Sequence, residues 1–198
     1  MAKRRGQPVH GWVNLDKPPG ISSAKAVAIV RRVFDAIKAG HGGTLDPLAS
    51  GVLPIALGEA TKTVSYTMGK SKSYEFSLAW GSETSTDDTE GEVTRQSDRR
   101  PSDDDIDRAL TQFQGVIHQV PPDYSAIKIE GARAYDLARR AGAGQPLPAL
   151  KPRQVRIDEF RRLDSDQMGA RFFVGCGKGA YIRALARDLG RALGSAAH

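Results

Sequence analysis

The order of apolar and polar positions marks out short strands and helices in irregular succession. HGWVNL, residues 10–15, reads as a strand ended by the Pro18-Pro19-Gly20 turn. Ser22 or Ser23 then caps a helix that the spacing of Val27, Val30, Val33, Phe34 and Ile37 carries to about Lys38, with Gly40 as its stop. GHGGTLDPLASG, residues 40–51, has the composition of a loop. VLPIAL after it reads as an apolar strand, Glu59 to Met68 as a short helix, and SYEFSLAW, residues 73–80, as a further strand. The acidic stretch from Gly81 to Gly91 reads as a long solvated loop. PSDDDIDRALTQF, residues 101–113, reads as a helix whose early aspartates suit the positive end of its dipole. Beyond VPPDY, the segment YSAIKIEGARAYDLARRAG pairs a strand with a basic helix, and GAGQPLPALKP forms a Gly/Pro-rich connection. Strands near QVRIDEF and ARFFVGC lead into GKGAYIRALARDLGRALG, a helix with Ile182, Leu185, Ala186, Leu189 and Leu193 on one face. No internal repeat is present, and the pattern predicts a mixed α+β architecture.

Composition narrows the class. With 198 residues, 39% of them hydrophobic and 26% charged, the chain suits one sizeable folded domain, or a domain with a small appended lobe. The N-terminus begins with basic residues, but its apolar stretch is only about three residues long, so no export signal is expected. No run approaches the roughly 20 apolar residues of a membrane helix, and the single cysteine, Cys176, has no internal disulfide partner. A cytoplasmic location follows as the expectation.

Charge is segregated along the chain. Residues 82–110 carry ten acidic and four basic side chains, so a formal charge of +6 for the whole leaves +12 on the remainder. That surplus attracts a polyanion and makes RNA the leading partner, although a basic solvated surface would show the same total. The acidic segment is expected to face away from RNA.

GHGGTLDPLASG carries the most chemical information. It sets one carboxylate, Asp46, in a glycine-rich loop immediately before a proline. Glycines allow close backbone approaches, and Pro47 fixes the chain just after the acid, so such a loop can hold an acid rigidly against a ligand. The plainer alternative is a turn in which Asp46 bonds its own backbone.

Read together, the early LDKPPGISS, GHGGTLDPLASGVLPIALGEATK, KSYEF, VPPDYSAIK and GKGAYIRALARDLG resemble, in order and spacing, the bacterial tRNA pseudouridine-55 synthase (TruB-type) family. The resemblance spans nearly the whole chain. It implies a pseudouridine synthase catalytic fold, a mixed and largely antiparallel sheet flanked by helices, with a central RNA-binding cleft. It also implies a basic tail over residues 1–9, a catalytic domain over 10–198, and a thumb-like insertion over about 124–152. The substrate would be the T stem-loop of tRNA, with no metal and no organic cofactor, no membrane and no protein partner, in a monomer.

The resemblance assigns roles residue by residue. Asp46 becomes the essential acid, Arg183 the cation beside it, and Tyr74 the active-site tyrosine suited to stacking on the target base. Tyr181 would line the same pocket. His41 would fill the stack vacated when the base is flipped out, a step that costs a few kcal/mol. Lys17 and Lys178 resemble contacts to substrate or to the wall of the site, and Arg133, Arg139 and Arg140 belong to the thumb, where basic charge suits phosphates. Moving uracil from N1 to C5 changes neither composition nor oxidation state, so a nucleophile and proton transfers suffice. Attack on ribose C1′, release of a glycal and addition to uracil C6 all remain open.

Two departures stand out. His41 is followed by Gly42, where relatives often carry a larger residue, and a looser loop is expected there. Relatives also continue beyond the equivalent of His198 with another core strand and, in bacteria, a small RNA-binding domain; this sequence has neither. The main rival is a tRNA-binding or tRNA-folding protein that performs no catalysis, against which a carboxylate facing an anionic RNA argues. A carboxylate-pair hydrolase would need a second acid motif. A metal enzyme would need ligand spacing that His10, His41, His118, His198 and Cys176 lack.

Overall fold

The computed structural model describes residues 6–69, 71–125, 127–129, 132–135, 137 and 150–198. The chain divides into two compact units, Met1–Lys70 and Ser71–His198.

The first unit contains β1 (Gly11–Lys17), α1 (Ser23–Val33), β2 (Ala39–His41), β3 (Gly51–Leu57), a 3-10 segment (Gly58–Thr63) and α2 (Val64–Met68). The strands form an antiparallel sheet in the order β1-β3-β2. Side chains alternate across β1, so Val13, Leu15 and Lys17 point to one face opposite Ile55, Leu53 and Gly51. Ala26 and Val30 of α1 pack with Ala36, Leu53, Ile55 and Leu57 to make this unit's core.

Helix α1 ends at Val33, five residues short of the expected Lys38. Its apolar spacing continues, but Asp35 turns left-handed at φ 45°. Ala36 then pairs with Gln7 in an isolated bridge, and the Gln7 N–H donates to Asp35 O. A partner from the start of the chain replaces the next helical turn. Gly40 and His41, expected in a loop, are strand residues of β2. The β2–β3 ladder ends one position later because Pro54 has no N–H: Gly42 N–H donates to Pro54 O at 2.8 Å, and nothing can return the bond.

The second unit contains β4 (Lys72–Ala79), β5 (Ser82–Thr84), β6 (Val93–Gln96), α3 (Asp103–Leu110), β7 (Gly115–Gln119), β8 (Lys128–Ile129), β9 (Ala132–Arg133), β10 (Arg153–Ser165), β11 (Gly169–Cys176) and α4 (Ile182–Ala192). Its main sheet is antiparallel in the order β4-β11-β10-β7, and β5-β6 and β8-β9 are separate hairpins. Leu78, Phe160, Phe172 and Val174 from the sheet meet Ile106 and Leu110 of α3 and Leu185 and Leu189 of α4. Phe76 stacks on Phe172 with ring centroids 5.4 Å apart. Strand β7 was not foreseen in the sequence. Of the expected basic helix of the thumb-like segment, Ala134, Tyr135 and Leu137 are helical, and the rest lies outside the described residues. Among the described residues, no helix is long and apolar enough to cross a membrane.

The stretch 81–91 is not a solvated loop. It contains β5 and the turn that leads to β6, and it buries Glu83 and Asp87. The physical reason is the arginine face of α4, which brings a cation to each buried carboxylate.

Candidate active site

In the first unit the sequence-predicted residues Lys17, His41 and Asp46 surround one loop. Asp46 lies on the exposed part of residues 42–50, where Ala49 N–H donates to Asp46 O at 3.1 Å and closes a turn over Pro47 and Leu48. The residues on either side of the acid are tied down. The Ser23 hydroxyl donates to Leu45 O and accepts from Leu45 N–H, each at 2.9 Å. Pro47 O accepts from Gly20 N–H at 2.8 Å and from Lys17 Nζ at 3.4 Å.

Lys17 is buried completely, and its ammonium also donates to Pro18 O and Ile21 O, each at 2.9 Å. Burial pulls its pKa below the usual lysine value, while the Asp46 carboxylate works the other way. Lys17 therefore acts in this structure as a fastener of the turns that carry Asp46. His41 closes β2 with its Nδ1 buried and without a hydrogen-bond partner among the described residues. Gly42 is packed rather than loose: it is buried, and a Cβ there would lie 2.4 Å from Thr67 Oγ1.

In the second unit Tyr181 and Arg183 stand at the start of α4. Tyr181 precedes the helix, and both of its backbone groups are met by the buried Gln119 amide: Tyr181 N–H donates to Oε1 at 2.8 Å, and Nε2 donates to Tyr181 O at 3.1 Å. Two residues on, Arg183 is largely buried and donates to Thr86 O at 2.7 Å and Tyr124 O at 2.9 Å, with the Asp88 carboxylate 3.5 Å away. Two backbone carbonyls thus fix the plane of its guanidinium. Tyr74 sits half-buried on β4 opposite Val174 and packs against the core. Lys178 is exposed in the turn after β11. Arg133 lies on β9, and Arg139 and Arg140 lie outside the described residues.

Sequence reasoning missed the acids that face α4. Arg183, Arg187 and Arg191 stand four residues apart on one helical face. Arg187 pairs with Asp87 and donates to Val120 O at 2.7 Å, and Arg191 pairs with Glu83, which Arg95 also reaches. Burial raises the Glu83 pKa, but hydrogen bonds from Arg191 and Arg95 outweigh it and hold the carboxyl below its usual range. Asp87 is the reverse case: burial outweighs Arg187 and Arg183 and pushes it up to about 6. The four-residue spacing of three arginines, set against a distant run of acids, was the signal available in the sequence. No group of three His, Cys, Asp or Glu side chains among the described residues is placed to hold a metal ion.

Comparison with known proteins identifies the family. The family model described as TruB family pseudouridylate synthase (N terminal domain) matches residues 31–182. The chain is 54% identical over 197 residues to tRNA pseudouridine synthase B of Bartonella quintana (strain Toulouse), covering 99% of this chain and 72% of that protein. It is 53% identical over 199 residues to the protein of the same name from Brucella ovis, covering 99% of this chain and 60% of the relative. Among solved structures, a chain of a Cbf5-Nop10-Gar1 complex superposes with a TM-score of 0.71 at 32% identity, covering 95% of this chain and 46% of that one. A chain of an H/ACA RNP bound to a substrate RNA containing 2'-deoxyuridine gives a TM-score of 0.65 at 27% identity, covering 100% and 50%. The chain therefore spans between about half and three quarters of the length of the proteins it matches. With most of its residues inside the family model and a relative more than half identical along nearly its whole length, this chain belongs to the TruB family of pseudouridylate synthases.

Proposed function

We propose that this chain isomerises uridine 55 in the T loop of tRNA to pseudouridine, with the Asp46 carboxylate as its nucleophile. The observation that carries this reading is the loop itself: an acid on the exposed part of the loop, fastened through the residue before it and the residue after it. A turn that served only its own backbone would not need a buried lysine and a buried serine to hold it. The names of its relatives, tRNA pseudouridine synthase B, support tRNA as the substrate.

The reaction breaks the N1–C1′ bond, forms a C5–C1′ bond and moves the proton from C5 to the freed nitrogen, so no atom or electron is gained. Asp46 supplies the nucleophile, Arg183 a cation of the catalytic set, and Tyr74 the surface on which the extruded base stacks. Tyr181 lines the same pocket. His41 occupies the stack that the base leaves, Lys178 contacts the substrate, and Arg133, Arg139 and Arg140 hold phosphates. The chain works as a cytoplasmic monomer on this reading.

The test incubates the protein with a T stem-loop RNA, without added metal, and maps pseudouridine chemically. Product is expected at the T-loop uridine with the parent protein. None is expected with Asp46→Asn, which keeps the shape of the side chain and leaves RNA affinity similar. Binding without product from the parent would favour the rival reading of a tRNA-folding protein, and turnover by Asp46→Asn would remove the nucleophile assignment.

A further inference from the structure

Two adjacent serines open α1 and do different work. Ser22 is the cap: its hydroxyl accepts from Lys25 N–H at 3.2 Å and satisfies one of the helix's free donors. Ser23 is the first helical residue and is buried, and its hydroxyl makes no cap. It donates to Leu45 O and accepts from Leu45 N–H. One hydroxyl thus engages both backbone groups of a single residue 22 positions away, the residue immediately before Asp46.

Such a two-way bond fixes both the place and the rotation of the backbone it meets, because donor and acceptor must be satisfied together. With Pro47 O held by Gly20 and Lys17, the Asp46 Cα is suspended between two anchored neighbours. An acid on a glycine-bordered loop would otherwise sample many directions, and misplacement of a reacting group by about 1 Å can cost on the order of 100-fold in rate. Replacing Ser23 by alanine leaves Leu45 N–H and C=O without their partner and frees the leading half of the loop, while the Pro47 anchor stays.

We propose that Ser23 is a positioning residue for Asp46: its hydroxyl fixes the Leu45 peptide so that the carboxylate is presented to the target nucleotide already oriented. This rests on the reading of Asp46 as the reacting acid. Ser22 supplies the control, since its loss weakens the same helix without touching Leu45.

The experiment measures single-turnover rates with saturating T stem-loop RNA for Ser23→Ala, Ser22→Ala, Ser23→Cys and Asp46→Asn, together with RNA affinity, thermal midpoint and amide exchange at Leu45. Ser23→Ala is expected to slow the chemical step by on the order of 10- to 100-fold, to speed Leu45 exchange and to leave RNA affinity unchanged. Ser22→Ala is expected to lower the midpoint and keep the parental rate. Ser23→Cys, which retains a weaker donor and acceptor of similar size, should fall between parent and alanine, and it carries the test if the alanine variant does not fold. A parental rate in a folded Ser23 variant whose Leu45 exchange has accelerated would overturn the proposal. So would equal slowing by Ser22→Ala, which would assign the effect to the helix. Turnover by Asp46→Asn would overturn the reading beneath it, whereas an inactive Asp46→Asn beside a fully active Ser23→Ala would overturn only the role of Ser23.

Discussion

The Asp87 carboxylate accepts from Arg187 Nη1 at 2.7 Å, with both side chains about nine-tenths withdrawn from solvent. Burial nevertheless pushes the Asp87 pKa up from 3.8 to about 6. The folded protein therefore holds this proton more tightly than the unfolded chain does. The stability this contributes is complete below about pH 4 and is lost as pH rises through about 6, a difference of about 3 kcal/mol for a shift of this size. Asp87→Asn should remove that part of the slope, which urea unfolding of parent and variant between pH 4 and 7 will measure. Arg187→Met strands the buried carboxylate and should cost about 3–5 kcal/mol at pH 7 and less at pH 5, where the acid is protonated. Parallel stability profiles for parent and Asp87→Asn would show that Asp87 does not titrate in this window.

Gly42 and Thr67 should show coupling of the opposite kind. A methyl at Gly42 meets Thr67 Oγ1 at 2.4 Å and Thr67 Cβ at 3.4 Å. Gly42→Ala is expected to destabilise by about 1–3 kcal/mol through overpacking. Adding Thr67→Ala removes the clashing oxygen and should recover most of the loss. A double-mutant cycle in urea checks this, and additive effects would place the strain elsewhere.

Cys176 offers a clean report on opening of the second unit. It is buried in β11, and burial, with the nearby Asp158 adding and Lys72 opposing, pushes its thiol up to about 11. A thiol both enclosed and protonated at pH 8 reacts only when the strand opens. Labelling by a disulfide reagent is expected to be slower than in urea by 10³-fold or more, on the order of the unfolding equilibrium. Fast labelling of the native protein would mean that β11 opens locally.

The elements that could be read from the sequence are those whose partners leave a mark on their own residues. The alternation in β1 and β4 and the apolar face of α4 are such marks, and the glycines and proline around Asp46 identified the loop directly. The errors share a cause. Helix α1 stops because Gln7 pairs with Ala36, and residues 81–91 fold inward because their cations lie about a hundred positions later on α4. Lys17 and Ser23 were harder still, since their partners are backbone carbonyls and amides, which every residue has and no composition reveals.

The arginine face of α4 also bears on how the chain assembles. Three cations four residues apart repel one another in an isolated helix, and eleven residues are too few for such a helix to persist alone in water. The acids that neutralise them sit on the β5–β6 hairpin, whose own contacts are local and quick to form. A ribosome releases the hairpin before the helix, so the carboxylates are already waiting when the arginines emerge. Helix α4 then consolidates on a template that the earlier part of the chain has prepared.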